Sequence, residues 1–385
     1  MRGPPLPKTF WWLWTGVLVS ALATFVFPFL ALYLSARGLP ADRIGLLVSL
    51  LGVGAIAAGP LGGSIADRLG RRPAILAPLI GSAAAAAWLG AVHGMALIAP
   101  GIFLFGVCAM MVYPAVNATV ADLVPSAELQ RAYGLLMWAQ NIGIAVSALA
   151  GGLLASKSWI LLFSADAVTT LIFAALVYRR VPESRPAPQH APRGFAHLLR
   201  DRALLGFVAA QLCFVLVWWQ FQFAVPIAMQ RQGLPPFSFG LVLGTNCVFL
   251  FTLQPFVTPR LARFDPGRLL ALGSVLVGLG YGAYAFCATT PEYLAATVVW
   301  TAGELVGMPA ASAVIAQLAP EDLRGRYQGA FGFSFSAGMA LTPILSGLVI
   351  ARAGTRALWA CSFALGLATA ALHLWLGARR RPAAP

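Results

Sequence analysis

Gly63-Ser64-Ile65-Ala66-Asp67-Arg68-Leu69-Gly70-Arg71-Arg72 sets one acid, three arginines and two glycines between two long apolar segments. Charges and open backbone groups are too costly to leave in hydrocarbon. The stretch therefore turns between two membrane helices at a water-facing surface, its glycines allowing a sharp turn and a close approach of the helix ends. Asp67 and Arg71 stand four residues apart and can pair if one helix runs through both.

Outward from this loop the whole chain has the same character. With 59% hydrophobic residues, 10% charged residues and a mean hydropathy of +0.81, its 385 residues belong to a membrane protein rather than to two or three soluble domains. The net charge of +14 comes from short basic clusters between apolar runs and not from one soluble face. That pattern points to the membrane surface and excludes nucleic acid as a partner. Cys108, Cys213, Cys247, Cys287 and Cys361 are odd in number, lack CxxC spacing and fall inside apolar stretches. They indicate neither a disulfide framework nor a zinc site, and no metal or other cofactor is expected. The apolar run from Phe10 to Leu34 exceeds the usual signal-peptide length and reads as the first membrane helix.

A helix needs about 20 apolar residues to cross the bilayer. Cutting the chain at its polar breaks gives twelve runs, at 10–36, 42–67, 73–93, 96–122, 129–156, 158–179, 203–231, 237–262, 266–287, 291–319, 322–352 and 355–378. The expected fold is an all-α membrane protein of twelve transmembrane helices. Of the 26 basic residues, 20 fall at the termini and in the loops after even-numbered helices and 6 in the opposite loops, which places both termini in the cytoplasm. Val181 to Arg202, with prolines at 182, 186, 188 and 192, reads as a cytoplasmic linker over 181–202. It joins an N-terminal six-helix bundle (1–180) to a C-terminal one (203–385), and Phe195 to Arg200 within it suits a short helix on the membrane surface.

Internal repetition supports the division. A shift of 195 residues superposes Gly38-Leu39-Pro40 on Gly233-Leu234-Pro235, and Gly45, Pro60 and Arg68 on Gly240, Pro255 and Arg263. The same shift matches Pro114, Pro125, Arg131, Gly134, Gly143 and Gly152 with Pro309, Pro320, Arg326, Gly329, Gly338 and Gly347. One constant offset describes two parallel repeats of six helices.

The pattern G-x-x-x-D-R-x-G-R-R between the second and third expected helices resembles the signature loop of the major facilitator superfamily of transporters. Leu318-Ala319-Pro320-Glu321-Asp322-Leu323-Arg324-Gly325-Arg326-Tyr327-Gln328-Gly329 is similar to the second-half partner sequence of its bacterial multidrug exporters, the drug:proton antiporters. The resemblance implies a monomer in the inner membrane that carries a small molecule and protons by alternating access, with substrate bound between the halves near the bilayer midplane. It also implies gating roles for Gly63, Asp67, Arg68, Gly70, Arg71, Arg72, Arg324 and Arg326. Asp67 would cap the cytoplasmic end of helix eleven and hold that side closed, an interaction of about 0.3–1 kcal/mol for a carboxylate at a helix N-terminus. Two departures stand out. Gly143-x-x-x-Ser147-Ala148-x-x-Gly151-Gly152 lacks the central Gly-Pro of the antiporter motif, whereas Gly338-x-x-x-Thr342-Pro343-x-x-Ser346-Gly347 keeps the proline. Gly101 to Ala121 carries no charge, where the proton-coupled exporters commonly place an arginine.

Proton coupling must then use other groups, and an acid inside a span is a functional candidate by default. Ten of the twelve acids lie at span ends or in loops; the exceptions are Glu304 and Asp166. Glu304, on a helix expected to line the cavity, sits roughly 20 Å into the tenth span at 1.5 Å per residue. Asp166 lies on the sixth helix, which the resemblance makes an outer support. Gln211, Val215, Trp218 and Gln222 recur at helical spacing on the seventh helix. Tyr113 and Asn117, Gln140 and Asn141, and Asn246 and Gln254 are the uncharged polar groups of helices four, five and eight. Aromatic walls with scattered amides suit a bulky amphipathic molecule, while the absence of deep arginine or lysine argues against phosphorylated or dicarboxylate substrates. The function expected is proton-coupled export of amphipathic or drug-like compounds. Import or facilitated diffusion of a neutral nutrient is the alternative within transport. A transporter-fold receptor or enzyme finds no support, since His93, His190, His197 and His373 are scattered and no nucleophile or phosphate-binding constellation occurs.

Overall fold

The computed structural model describes residues 6–92, 94–125, 128–183, 198, 200–261, 263–320 and 323–380. The expected spans appear in chain order as α3 (Ala41–Leu69), α4 (Arg71–Ala91), α5 (Met95–Leu123), α6 (Leu129–Lys157), α7 (Trp159–Arg180), α10 (Pro236–Leu261), α11 (Pro266–Ala283) and α12 (Thr290–Leu318). The last two expected spans form one element, α13 (Arg324–Arg380), with a break at Gly354, where φ 82 and ψ 174 leave helical space. Ten helices among the described residues are long and apolar enough to cross a membrane. Most of the expected linker helix at Phe195 to Arg200 lies outside the described residues.

The structure departs from the expected spans in two places. The first span is split into α1 (Lys8–Ala21) and α2 (Val26–Ala36). Pro28 has no N–H and its ring displaces the carbonyl four residues back, so the helical ladder cannot run from Thr24 into the next turn. The seventh span is split into α8 (Arg202–Trp218) and α9 (Gln220–Arg231). There the Gln222 amide bonds back to the Trp219 carbonyl at 3.2 Å, and the freed Trp218 carbonyl accepts the Tyr281 hydroxyl at 2.8 Å.

The repeat is visible in the backbone. Ala41, Arg71, Met95 and Leu129 open α3, α4, α5 and α6, and Pro236, Pro266, Thr290 and Arg324 open α10, α11, α12 and α13, each 195 positions further on. Gly38 and Gly233, a matched pair, both take positive φ, 77 and 78, which a residue with a Cβ rarely adopts.

The chain forms two compact units, one of residues Met1–Leu34 and Leu50–Ala191, the other of Ser35–Ser49 and Pro192–Pro385. In the first, Phe10, Leu13, Ile75, Val116, Leu136 and Phe173 share one buried cluster. In the second, Phe207, Leu270, Ala311, Ile315 and Tyr327 share another. The first turns of α3 join the second unit because glycine brings backbone onto backbone. A Cβ on Gly45 would lie 2.2 Å from the Pro343 carbonyl oxygen of α13, and one on Gly347 would lie 2.6 Å from the Ala41 carbonyl oxygen.

At the start of α8, Asp201 accepts the Ala203 and Leu204 amides at 2.9 and 3.1 Å and the Tyr327 hydroxyl. Partial burial works to raise its pKa, but these hydrogen bonds outweigh it and hold the carboxyl below its ordinary value. The folded state therefore favours the charged form. Its contribution is present above the unfolded pKa of about 3.9 and is lost as pH falls through the lower folded value. Asp201→Ala should cost about 0.5–2 kcal/mol at neutral pH, read by thermal unfolding in detergent, and the difference from wild type should shrink toward pH 3. A difference that stays constant down to pH 3 would contradict this account.

Candidate functional site

Glu304 stands half-buried on α12, one turn beyond Thr301. Asn246, facing it from α10, donates from Nδ2 to Glu304 Oε2 at 2.9 Å and to Thr301 Oγ1 at 3.1 Å. No basic side chain forms an ion pair with Glu304 among the described residues. The carboxyl is thus oriented by an amide and left without a counter-charge, an arrangement open to a proton or to a cationic guest.

An aromatic ring adjoins this group and leads into a chain of others. The Trp218 indole stands beside the carboxylate, with Phe221 at 5.0 Å between ring centroids. Phe221 stacks on Trp300 at 6.1 Å, and Trp300 stacks on Tyr281 at 5.5 Å. Behind them the Trp300 Nε1 donates to the Tyr284 hydroxyl, itself bonded to Thr297 Oγ1, each at 2.8 Å. The buried polar atoms of Trp300 and Tyr284 are thereby satisfied and their rings are fixed.

Asp166 occupies a different setting. Its Oδ2 accepts the Phe25 and Val26 amides, each at 2.9 Å, and so caps the break between α1 and α2. At 5% exposure it is a buried group at the break in the first span. It also lines a cavity of about 410 Å3 within the first unit, where Tyr113 and Gln140 line the same space.

The remaining candidates scatter. Gln211 is 1% exposed with an unpaired Oε1, while Gln222 is half-buried beyond the α8–α9 break. Asn117 buries an Oδ1 without a partner, and Asn141 and Gln254 are exposed. In the loop of residues 63–72, the side chains at Gly63, Asp67 and Arg68 lie outside the described residues. The helix does not run through this loop: α3 ends at Leu69 and Gly70 turns at φ 98. The continuous helix required for an Asp67–Arg71 pair is therefore lacking. Arg71 opens α4 instead and pairs through Nε with Asp122 Oδ2, from the end of α5, at 2.7 Å. Arg72 donates to the Tyr178 carbonyl and lies over the Tyr178 ring at 4.6 Å. Arg324 is exposed and Arg326 half-buried at the start of α13.

The sequence profile of the Major Facilitator Superfamily matches residues 13–301 and 232–385. The chain belongs to the major facilitator superfamily. It is a multi-pass membrane transporter of small molecules and not an enzyme. Among its relatives, the MFS-type transporter YttB of Bacillus subtilis is 26% identical over 363 residues, covering 92% of this chain and 91% of the relative. A Na(+), Li(+), K(+)/H(+) antiporter of Planococcus maritimus is 24% identical over 83% of this chain and 84% of its own. The class C tetracycline resistance protein of Escherichia coli is 28% identical over 80% and 79%. The solved nucleoside transporter NupG shares the fold with a TM-score of 0.83 at 14% identity, over 96% of this chain and 100% of that one.

Among the described residues, Asp166 is buried and Glu304 half-buried, each within its own helical unit, and their surroundings came only with the structure. Asp122, Tyr281 and Trp300 carry no signal in the sequence, because each meets its partner from another helix. Pro28 was the available signal for the break that Asp166 caps.

Proposed function

We propose that the transporter works by alternating access as a proton-coupled exporter of bulky amphipathic cations, with Glu304 binding a proton and the substrate in turn. The observation that carries this reading is one carboxylate, held by Asn246, beside the Trp218 indole. A cation over an aromatic face gains about 0.5–2 kcal/mol, and the carboxylate adds a charge attraction strengthened by low polarity. A proton and a cation cannot both be held at one carboxylate, so competition for it couples their movements. Relatives that include a tetracycline resistance protein and a cation/proton antiporter fit this class. A second reading, import or facilitated diffusion of a neutral nutrient, is favoured by the uncharged fourth helix, Gly101 to Ala121. Flux of tetraphenylphosphonium and of an uncharged analogue into proteoliposomes decides between them. Movement of the cation against its gradient when an opposing pH gradient is imposed supports the first; movement of the neutral compound alone supports the second.

We also place both termini in the cytoplasm, on the distribution of basic residues. Single cysteines at Ser184 and Gln189 should react only with reagent that reaches the cytoplasm, and one at Asp42 only with reagent added outside. Labelling of Ser184→Cys from outside intact cells would reverse the topology.

A further inference from the structure

The cavity in the first unit shares no residue with the Glu304 group. Its walls come from α1, α2, α4, α5, α6 and α7. A space of about 410 Å3, filled at the packing density of protein interiors, takes an occupant of roughly 300 Å3. Phe27, Phe105, Phe173 and Tyr113 supply aromatic wall, and Gln140 and Thr170 supply uncharged polar groups.

Asp166 is the charged residue in this wall. Both of its hydrogen bonds go to Oδ2, which leaves Oδ1 for the cavity. Among the described residues no arginine, lysine or histidine forms an ion pair with it. A buried carboxylate without counter-charge is costly, and a cation brought against it recovers part of that cost. The repeat shows that closing a broken span does not itself require an acid. The position 195 residues after Asp166 is Cys361, and at the α8–α9 break the side chain of Gln220, which opens α9, donates from Nε2 to Ser346 Oγ at 2.7 Å.

We propose that this cavity is a separate binding site for a compact organic monocation, an ammonium group carried on an apolar body, with Asp166 as its counter-ion. Aromatic rings accept the cation's apolar substituents and its charge together. The carboxylate excludes anions of the same size. The proposal stands independently of the Glu304 reading, because the two groups lie in different units.

Calorimetric titration of the purified transporter with phenyltrimethylammonium tests it, carried out in a Glu304→Gln background so that the other carboxylate contributes nothing. One saturable site is expected, weakened tenfold or more by Asp166→Asn and also by Ala109→Phe, which puts a ring into the cavity and leaves the charge in place. Benzenesulfonate, of similar size and opposite charge, should neither bind nor compete. If Asp166→Asn fails to fold, Ala109→Phe decides. The proposal is overturned if the Glu304→Gln protein does not bind the cation, if Ala109→Phe binds it undiminished, if a folded Asp166→Asn does so, or if benzenesulfonate competes.

Discussion

Glu304→Gln should leave the transporter folded and able to bind neutral compounds, and abolish the response of transport to an imposed pH gradient. Glutamine keeps the shape of the neutral acid and retains an oxygen to accept from Asn246, which now holds the carboxyl at 2.9 Å. What it loses is the exchangeable proton and the negative charge. One pH unit is worth about 1.4 kcal/mol, so a gradient of two units can drive up to about a hundredfold accumulation by one-for-one exchange. The whole of that factor should vanish in the variant, while downhill flux of a neutral substrate persists. Equal stimulation of wild type and variant in proteoliposomes would reduce Glu304 to a structural residue.

Asp166→Val should be the most damaging single change for folding. It strands the Phe25 and Val26 amides, both now bonded to Oδ2, and each unsatisfied buried donor costs about 1–3 kcal/mol. A loss of roughly 2–5 kcal/mol follows, seen as a lower unfolding temperature in detergent and reduced yield. Asp166→Asn offers one oxygen in the same place and should recover most of that loss. If valine and asparagine unfold at the same temperature, the amides at the α1–α2 break do not depend on this acceptor.

How far the molecule could be read from its residues follows from where the partners lie. Helix existence and order were legible because each span carries its own apolar run, and the repeat was legible because one offset aligns local turn chemistry, as at Gly38 and Gly233. The splitting of the first span could have been read at Pro28, but proline is common enough in membrane helices to pass as a kink. The roles of the acids could not be read in that way. Asp166 meets amides about 140 positions upstream, and Arg71 pairs with Asp122, 51 positions away. The aromatic wall at Glu304 was hidden for a further reason. Phe221, Tyr281 and Trp300 sit in runs that are apolar throughout, so no periodicity marks the face on which they converge.

The account rests on exchange of a proton for a cation at one carboxylate, and proton movement reports on this most directly. With the purified transporter in vesicles that enclose a pH-sensitive dye and begin without a pH gradient, tetraphenylphosphonium is added outside. Entry of the cation should drive protons out and alkalinise the lumen in wild type, with no such change in Glu304→Gln. Cation entry without alkalinisation in wild type, or the same alkalinisation in both proteins, would contradict it.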